Sequence, residues 1–404
     1  MSTETGATAV LVTPPSGGTG TEPLPEGGRV DFVRLREERR RRVFAAMEQR
    51  DVDVLVLGRP GNIAYAAGVR QLWTAGSRPF GPACIAVRET GRIHLLSTWD
   101  EGVPDAVHRE DLFGLSWNPA IIASNVTAIP GLAGARLVAA DGYSPGAGDL
   151  VAAATPGATL VDANPLLNAA RVPRTPDEIA CVQIASALAE RAMTSMLETL
   201  RPGVTERQML GVYLETIAQA GCQIPPSESV VCALPRRGLP RLRRVAGDRA
   251  VGPGELVALN PGAFYGGYMA TLARTWPSDP ASVSRGQEEL GQRARSALHA
   301  VVSACRPGAT GSDLVSAWDA TGEPPPPEPL AMGVGLGVEG PLIGHRCGRD
   351  SVLSDGQILA VQSWVAAEGV GGVLEQEMIL VGNTPGVITR YARSARQTVA
   401  PSDL

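Results

Sequence analysis

A proline-flanked helix start at residues 171–178 governs how this chain can fold. In Arg171-Val172-Pro173-Arg174-Thr175-Pro176-Asp177-Glu178, Thr175 is placed to cap a helix, Pro176 suits its first position, and Glu178 completes a capping box. Pro173 and Pro176 forbid a helix from running through this stretch, so whatever precedes it must end there. At 404 residues the chain is too long for one ordinary core. Two domains are expected, residues 29–168 and 169–404, behind a disordered leader over residues 1–28 that is rich in Gly, Thr, Pro and Ser.

The two halves carry different patterns. Residues 31–50 form a charged helix whose Val33, Leu35, Val43, Phe44 and Met47 fall on one face. Short apolar runs at 52–57, 83–87, 93–97, 136–140 and 159–161 read as strands, which makes the first domain α/β. Beyond the boundary, helices are expected from 176 to about 201, from 205 to about 220 and from 284 to about 305. Strand pairs at 256–259 with 269–275, and at 359–365 with 373–381, lie among them. Helices flanking antiparallel strands make the second domain α+β. Residues 322–329 form a stiff polyproline loop.

Composition narrows the chemistry. All 36 basic residues are arginine, which together with 47 Gly and 33 Pro reads as GC-rich coding. Without lysine, no Schiff base or pyridoxal phosphate anchor is possible. A formal charge of −5 gives no reason to expect nucleic acid or an acidic membrane as partner. No apolar run is long enough to span a bilayer and no secretory segment opens the chain, so a cytoplasmic location is expected. The six cysteines lack a C-x-x-C spacing and read as reduced thiols, with Cys347 in the least regular surroundings.

Three segments of the second half carry a resemblance. Gly254-Glu255-Leu256-Val257-Ala258-Leu259-Asn260 runs on to Gly267-Tyr268-Met269-Ala270-Thr271-Leu272-Ala273-Arg274-Thr275; then follow Met332-Gly333-Val334-Gly335-Leu336-Gly337-Val338-Glu339 and residues 353–381. In order and spacing these resemble the creatinase, prolidase and aminopeptidase P family. That resemblance implies a pita-bread second domain behind a smaller creatinase-like first domain, and a homodimer. Asn260 and Thr271 fall where the family has its two aspartates, Met332 at its ligand histidine, and Gln362 and Gln376 at its two glutamates. Two divalent cations need carboxylates and an imidazole as donors and as balancing charge. All five replacements are neutral, so no metal and no other cofactor is expected.

The resemblance also implies where to look for catalysis. Creatinase similarly has Asn at the first aspartate position and an ending like Leu272-Ala273-Arg274-Thr275, but its general-base histidine falls on Arg243, which cannot act as a base. Glu339 replaces the family's second, substrate-contacting histidine. Burial beside Met332 would raise its pKa and suit it to acid–base work; pairing with an arginine is the alternative. Tyr268 is a further catalytic candidate. Strand parity places Trp364 and Leu374 beside Gln362 and Gln376, and turns Glu375 and Glu377 away. Arg78 lies where creatinase binds a carboxylate across the dimer; Arg346, Arg349 and His345 are rim candidates, each arginine equally readable as a surface residue. His94, His108 and His299 read as structural.

Such a pocket suits a small, partly apolar molecule bearing a carboxylate or amide. Two readings follow: a metal-free enzyme of specialised metabolism working by hydrolysis, elimination or cyclisation at a C–N or acyl centre, or a non-catalytic pseudo-peptidase that binds.

Overall fold

The computed structural model describes residues 30–69, 84–96, 103–113, 118–142, 145–222, 224–226, 229–235 and 238–391. The leader expected over residues 1–28 and the candidate Arg78 lie outside the described residues.

The first half contains α1 (Phe32–Gln49), β1 (Val54–Leu57), α2 (Pro60–Ala67), β2 (Cys84–Val87), β3 (Arg92–Leu96), β4 (Leu112–Phe113), α3 (Pro119–Thr127), β5 (Leu137–Ala140), α4 (Pro145–Ala154), β6 (Thr159–Asp162) and α5 (Asn164–Arg171). Its six strands form one sheet in the order β4-β3-β2-β1-β5-β6. The β1–β2 and β2–β3 pairs are antiparallel and the remainder parallel.

Helix α1 corrects the sequence reading. Its buried face runs Leu35, Arg39, Val43, Ala46 and Met47, a step of about four residues. Val33 is exposed, and Arg39, which a hydrophobic pattern skips, lies in the buried stripe. A guanidinium there needs partners, and it finds them in the second half of the chain.

That half begins with α6 (Pro176–Thr199), whose Thr175–Glu178 capping box forms as the sequence predicts: the Glu178 backbone N–H donates to Thr175 Oγ1 and the Thr175 N–H to Glu178 Oε2, at 3.2 and 2.7 Å. Then come α7 (Glu206–Gln219), β7 (Val230–Leu234), β8 (Leu256–Asn260), β9 (Gly262–Tyr265), β10 (Tyr268–Thr271), β11 (Arg274–Pro277), α8 (Arg285–Ala304), α9 (Gly311–Asp319), β12 (Ala331–Gly335), β13 (Gly337–Ile343), β14 (Ile358–Ala367), β15 (Gly371–Leu380) and β16 (Gly386–Val387). The strand expected over residues 269–275 divides into β10 and β11. Their partners divide likewise at Pro261, giving a β9–β10 hairpin beside a β11-β8-β7 sheet.

A five-stranded sheet, β13-β12-β14-β15-β16, meets these strands edge to edge. The seam is a single antiparallel bridge between Ala273 and Gln376, each N–H donating to the other's carbonyl, at 3.4 and 3.0 Å. Helices α6 and α7 cover one half of this arrangement, and α8 and α9 the other, each over its own apolar cluster.

Arg274 locks the back of the seam. Its side chain is fully buried and donates to the carbonyls of Ala273 and Gln376, both at 2.8 Å, and to Glu377 Oε1 at 2.9 Å. Glu375 lies on the same side, 3.6 Å from the Arg274 Nε. Both glutamates therefore face away from Gln376 and serve the seam. Arg274→Leu strips the counter-charge from two buried carboxylates and is expected to cost about 3–5 kcal/mol, read from denaturant unfolding. A loss below about 1 kcal/mol would show that the pair does not hold the seam.

Candidate functional site

The front of the seam carries four of the five residues singled out at the family's ligand positions. Asn260 ends β8, Thr271 ends β10, and Gln362 and Gln376 are directly paired on β14 and β15. The Asn260 Nδ2 group lies 2.9 Å from Thr271 Oγ1, 2.8 Å from the Leu272 carbonyl and 3.1 Å from Gln376 Oε1. Thr271 Oγ1 is also 3.1 Å from Gln376 Oε1. Gln376 Nε2 donates to Gln362 Oε1 at 3.1 Å, and Gln362 Nε2 donates to the Pro329 carbonyl at 2.8 Å. The result is a continuous neutral relay from β8 across the seam to the polyproline loop.

Met332 lies next to the relay. It pairs with Ala360 on β14, two residues from Gln362 and on the same strand face. Thr271 and Gln376 are buried, whereas Asn260, Met332 and Gln362 are half-buried and reach solvent. Trp364 pairs with Leu374 in the next register step on that face, and both are buried in the cluster over β7 and β8. They continue the face that carries Gln362 and Gln376 with apolar surface.

Glu339 has another use. Its carboxylate is gripped by Arg174 and Arg171, and Oε1 accepts the Leu336 backbone N–H at 2.9 Å. Burial alone would raise this carboxyl's pKa, but the two guanidinium groups outweigh it and hold the pKa below the ordinary glutamate value. The expected raised pKa is therefore reversed, and the alternative arginine pairing is what the structure contains. Gly335 makes the grip possible, since a Cβ there would collide with the Glu339 carboxylate and the Arg174 guanidinium.

Tyr268, expected in the pocket, is fully buried behind it. Its hydroxyl donates to Glu178 and accepts from Arg39 Nη1 at 3.3 Å. Burial pushes its pKa well up, so it stays a phenol. Arg243 does not reach the relay through any hydrogen bond. It pairs with Glu206, a fully buried carboxylate in the first turn of α7 that also accepts the N–H groups of Ala233 and Gly247 at 2.9 and 3.0 Å. The structure thus places both away from the expected pocket, with each polar tip bonded to a buried carboxylate.

The rim candidates lie elsewhere too. His345 Nε2 is 2.8 Å from Asp319 Oδ1 of α9, Arg349 reaches Ser312 Oγ at 3.5 Å, and Arg346 is exposed. His94 pairs with Asp111 at 3.0 Å inside the first half, a structural role.

Three contributors escaped the sequence reading. Arg171 and Arg174 stood in the helix-start motif but were read only as its flank, and Arg39 was hidden by its charge. Together they form a buried chain that ties α1 and α5 to the second half: Arg39 to Tyr268, Tyr268 to Glu178, Glu178 beside Arg174, and Arg174 to Glu339 to Arg171. The i,i+4 spacing of Arg174 and Glu178, which the structure brings to 3.9 Å, was the signal available in sequence.

The model of metallopeptidase family M24 matches residues 180–383, just over half of the chain. The chain belongs to metallopeptidase family M24. Among M24 relatives, a Xaa-Pro dipeptidase of Pyrococcus furiosus is 26% identical over 52% of this chain and 61% of its own length. One of Lactobacillus helveticus is 30% identical over 52% of this chain and 58% of its own. These matches span about three fifths of the relatives' lengths. The fold is shared more widely. The prolidase structure from Pyrococcus horikoshii superposes with a TM-score of 0.72 at 19% identity, covering 88% of this chain and 99% of that one. A Xaa-Pro dipeptidase from Bacillus anthracis gives 0.73 at 21%, covering 89% and 98%. The architecture is the pita-bread fold.

The M24 fold implies a dinuclear metal centre at the relay. The residues there do not fit one. Three carboxamides, a hydroxyl and a thioether supply no negative charge to balance two divalent cations, and the carboxamide oxygens of Gln362 and Gln376 already accept hydrogen bonds within the relay.

The Glu339 grip has a pH signature. A carboxyl with a depressed folded pKa stabilises fully above the free glutamate value of about 4.3, and that contribution is lost as pH falls through the lower folded value. The stability difference between wild type and Glu339→Gln should hold steady from neutral pH to about 5 and shrink below about 4, measured by calorimetry across pH. A difference unchanged down to full protonation would mean the charge on Glu339 plays no part.

Proposed function

We propose that this M24 protein works without metal, and that its relay forms the floor of a binding site for a small, partly apolar, amide- or carboxylate-bearing molecule. One observation carries the reading: four of the five ligand positions satisfy one another as neutral hydrogen-bonding groups. A site built to hold cations would keep anionic donors turned inward and unspent. Here the polar groups are pre-organised, three of the five residues remain open to solvent, and Met332 adds a polarisable apolar wall.

Non-catalytic binding is one form of this reading. Of the acid–base candidates, Glu339 is held ionised between two arginines, Tyr268 is a buried phenol bonded to Glu178, and Arg243 is bound to Glu206. None is free to exchange a proton with a ligand on the relay. A second reading, metal-free turnover at a C–N or acyl centre, is favoured by the peptidase names of the relatives. In that case the relay would act by orientation and hydrogen bonding alone.

Release of proline from a Gly-Pro dipeptide, followed with and without added Mn²⁺, separates these readings from ordinary M24 chemistry. No turnover above the protein-free blank is expected in either condition. Manganese-dependent release of proline would overturn the proposal.

A further inference from the structure

The relay has a direction, and the main chain fixes it. Carboxamide oxygen and nitrogen are told apart only by their partners. At one end the Leu272 carbonyl, which can only accept, lies 2.8 Å from the inner atom of Asn260, so that atom is the nitrogen. At the other end the Pro329 carbonyl, 2.8 Å from Gln362, likewise requires the Gln362 nitrogen. Gln362 must then turn its oxygen to Gln376, and Gln376 must give Gln362 an N–H and turn its own oxygen to Asn260 and Thr271. No other setting of the three side chains satisfies both carbonyl ends.

One atom is left over. With its nitrogen turned inward, Asn260 presents Oδ1 outward, where it accepts no hydrogen bond from any described residue. It is not one of the buried unsatisfied atoms, so it is open to solvent. The polar outlet of the relay is thus an acceptor, and the half-buried thioether of Met332 adds apolar surface two residues from Gln362 on the same strand face. No carboxylate belongs to the relay, so an ammonium ion docking there would lose its hydration without a counter-charge.

We infer that the site selects a neutral hydrogen-bond donor, an unsubstituted or secondary carboxamide N–H on an apolar or aromatic body, which donates to Asn260 Oδ1. This rests on the reading of the relay as a small-molecule site, and it excludes within that reading esters, tertiary amides and amines. It also gives Asn260 a role that an aspartate would not fill. A carboxylate at that position would face the Leu272 carbonyl with an oxygen and would favour cations at its outer one.

The test uses two probes of equal size, N-methylbenzamide and methyl benzoate, which differ by an N–H in place of an oxygen, with benzylamine as the cationic control. Each is titrated into the full chain while the side-chain amide resonances of Asn260, Gln362 and Gln376 are followed by NMR. N-methylbenzamide is expected to bind at least about tenfold more tightly than methyl benzoate, with the Asn260 resonance shifting, and benzylamine to be the weakest. In Asn260→Asp the order is expected to reverse, with benzylamine first. Equal binding of the amide and the ester at the relay would overturn the inference and leave the binding site standing. Failure of all three probes to move any relay resonance would overturn both.

Discussion

Two half-sheets in the second half of the chain meet along a seam with one backbone bridge, between Ala273 and Gln376, and side chains must supply the rest of the connection. On the buried side this is an ionic contact, Arg274 with Glu375 and Glu377. On the open side it is the neutral relay from Asn260 to Pro329. A net 0.5–1.5 kcal/mol is typical of one hydrogen bond, while a buried group stripped of its partner costs about 1–3 kcal/mol. The relay is therefore worth more for keeping its members in register than for its summed strength. Since each carboxamide has its orientation dictated by the next, a change at one position disturbs all of them.

A second set of contacts fastens the first half of the chain to this seam. Arg39 enters from α1 and Arg171 from the end of α5; between them lie Tyr268, Glu178, Arg174 and Glu339. Leu336, at the turn of the β12–β13 hairpin, packs against the apolar cluster of the first half, and its carbonyl would lie 2.9 Å from a Cβ at Gly61. Glu339 thus makes the position of a substrate-contacting residue into a fastening point. Both networks act alike: groups that look reactive in sequence have been paired off, and polarity is retained where it orients or fastens.

What could be read from sequence was what depends on local spacing. The Thr175–Glu178 capping box formed because its four residues need only each other. Alternation along β14 and β15 put Gln362 and Gln376 on one face and turned Glu375 and Glu377 to the far side; their direct pairing is a register that alternation leaves open. Asn260 and Thr271 do meet, although the chain breaks into two hairpin pieces between them instead of one continuous strand pair. What escaped depends on contacts distant in sequence. The partners of Glu339 are 165 and 168 residues away, and without them burial alone sets the wrong sign for its pKa. Arg39 escaped because apolar periodicity passes over a charge, and the Pro329 carbonyl because a polyproline loop gives no hint of which carbonyl it will present.

We propose that the pita-bread site of this M24 chain uses neutral hydrogen bonding where the fold implies ionic coordination. Elemental analysis after equilibrium dialysis against excess Mn²⁺ tests it most directly. As a positive control, the same measurement is made on a variant carrying Asn260→Asp, Thr271→Asp, Met332→His, Gln362→Glu and Gln376→Glu. No stoichiometric metal is expected on the wild-type chain. One bound equivalent of manganese per wild-type chain, lost on substituting Asn260 or Gln376, would contradict it.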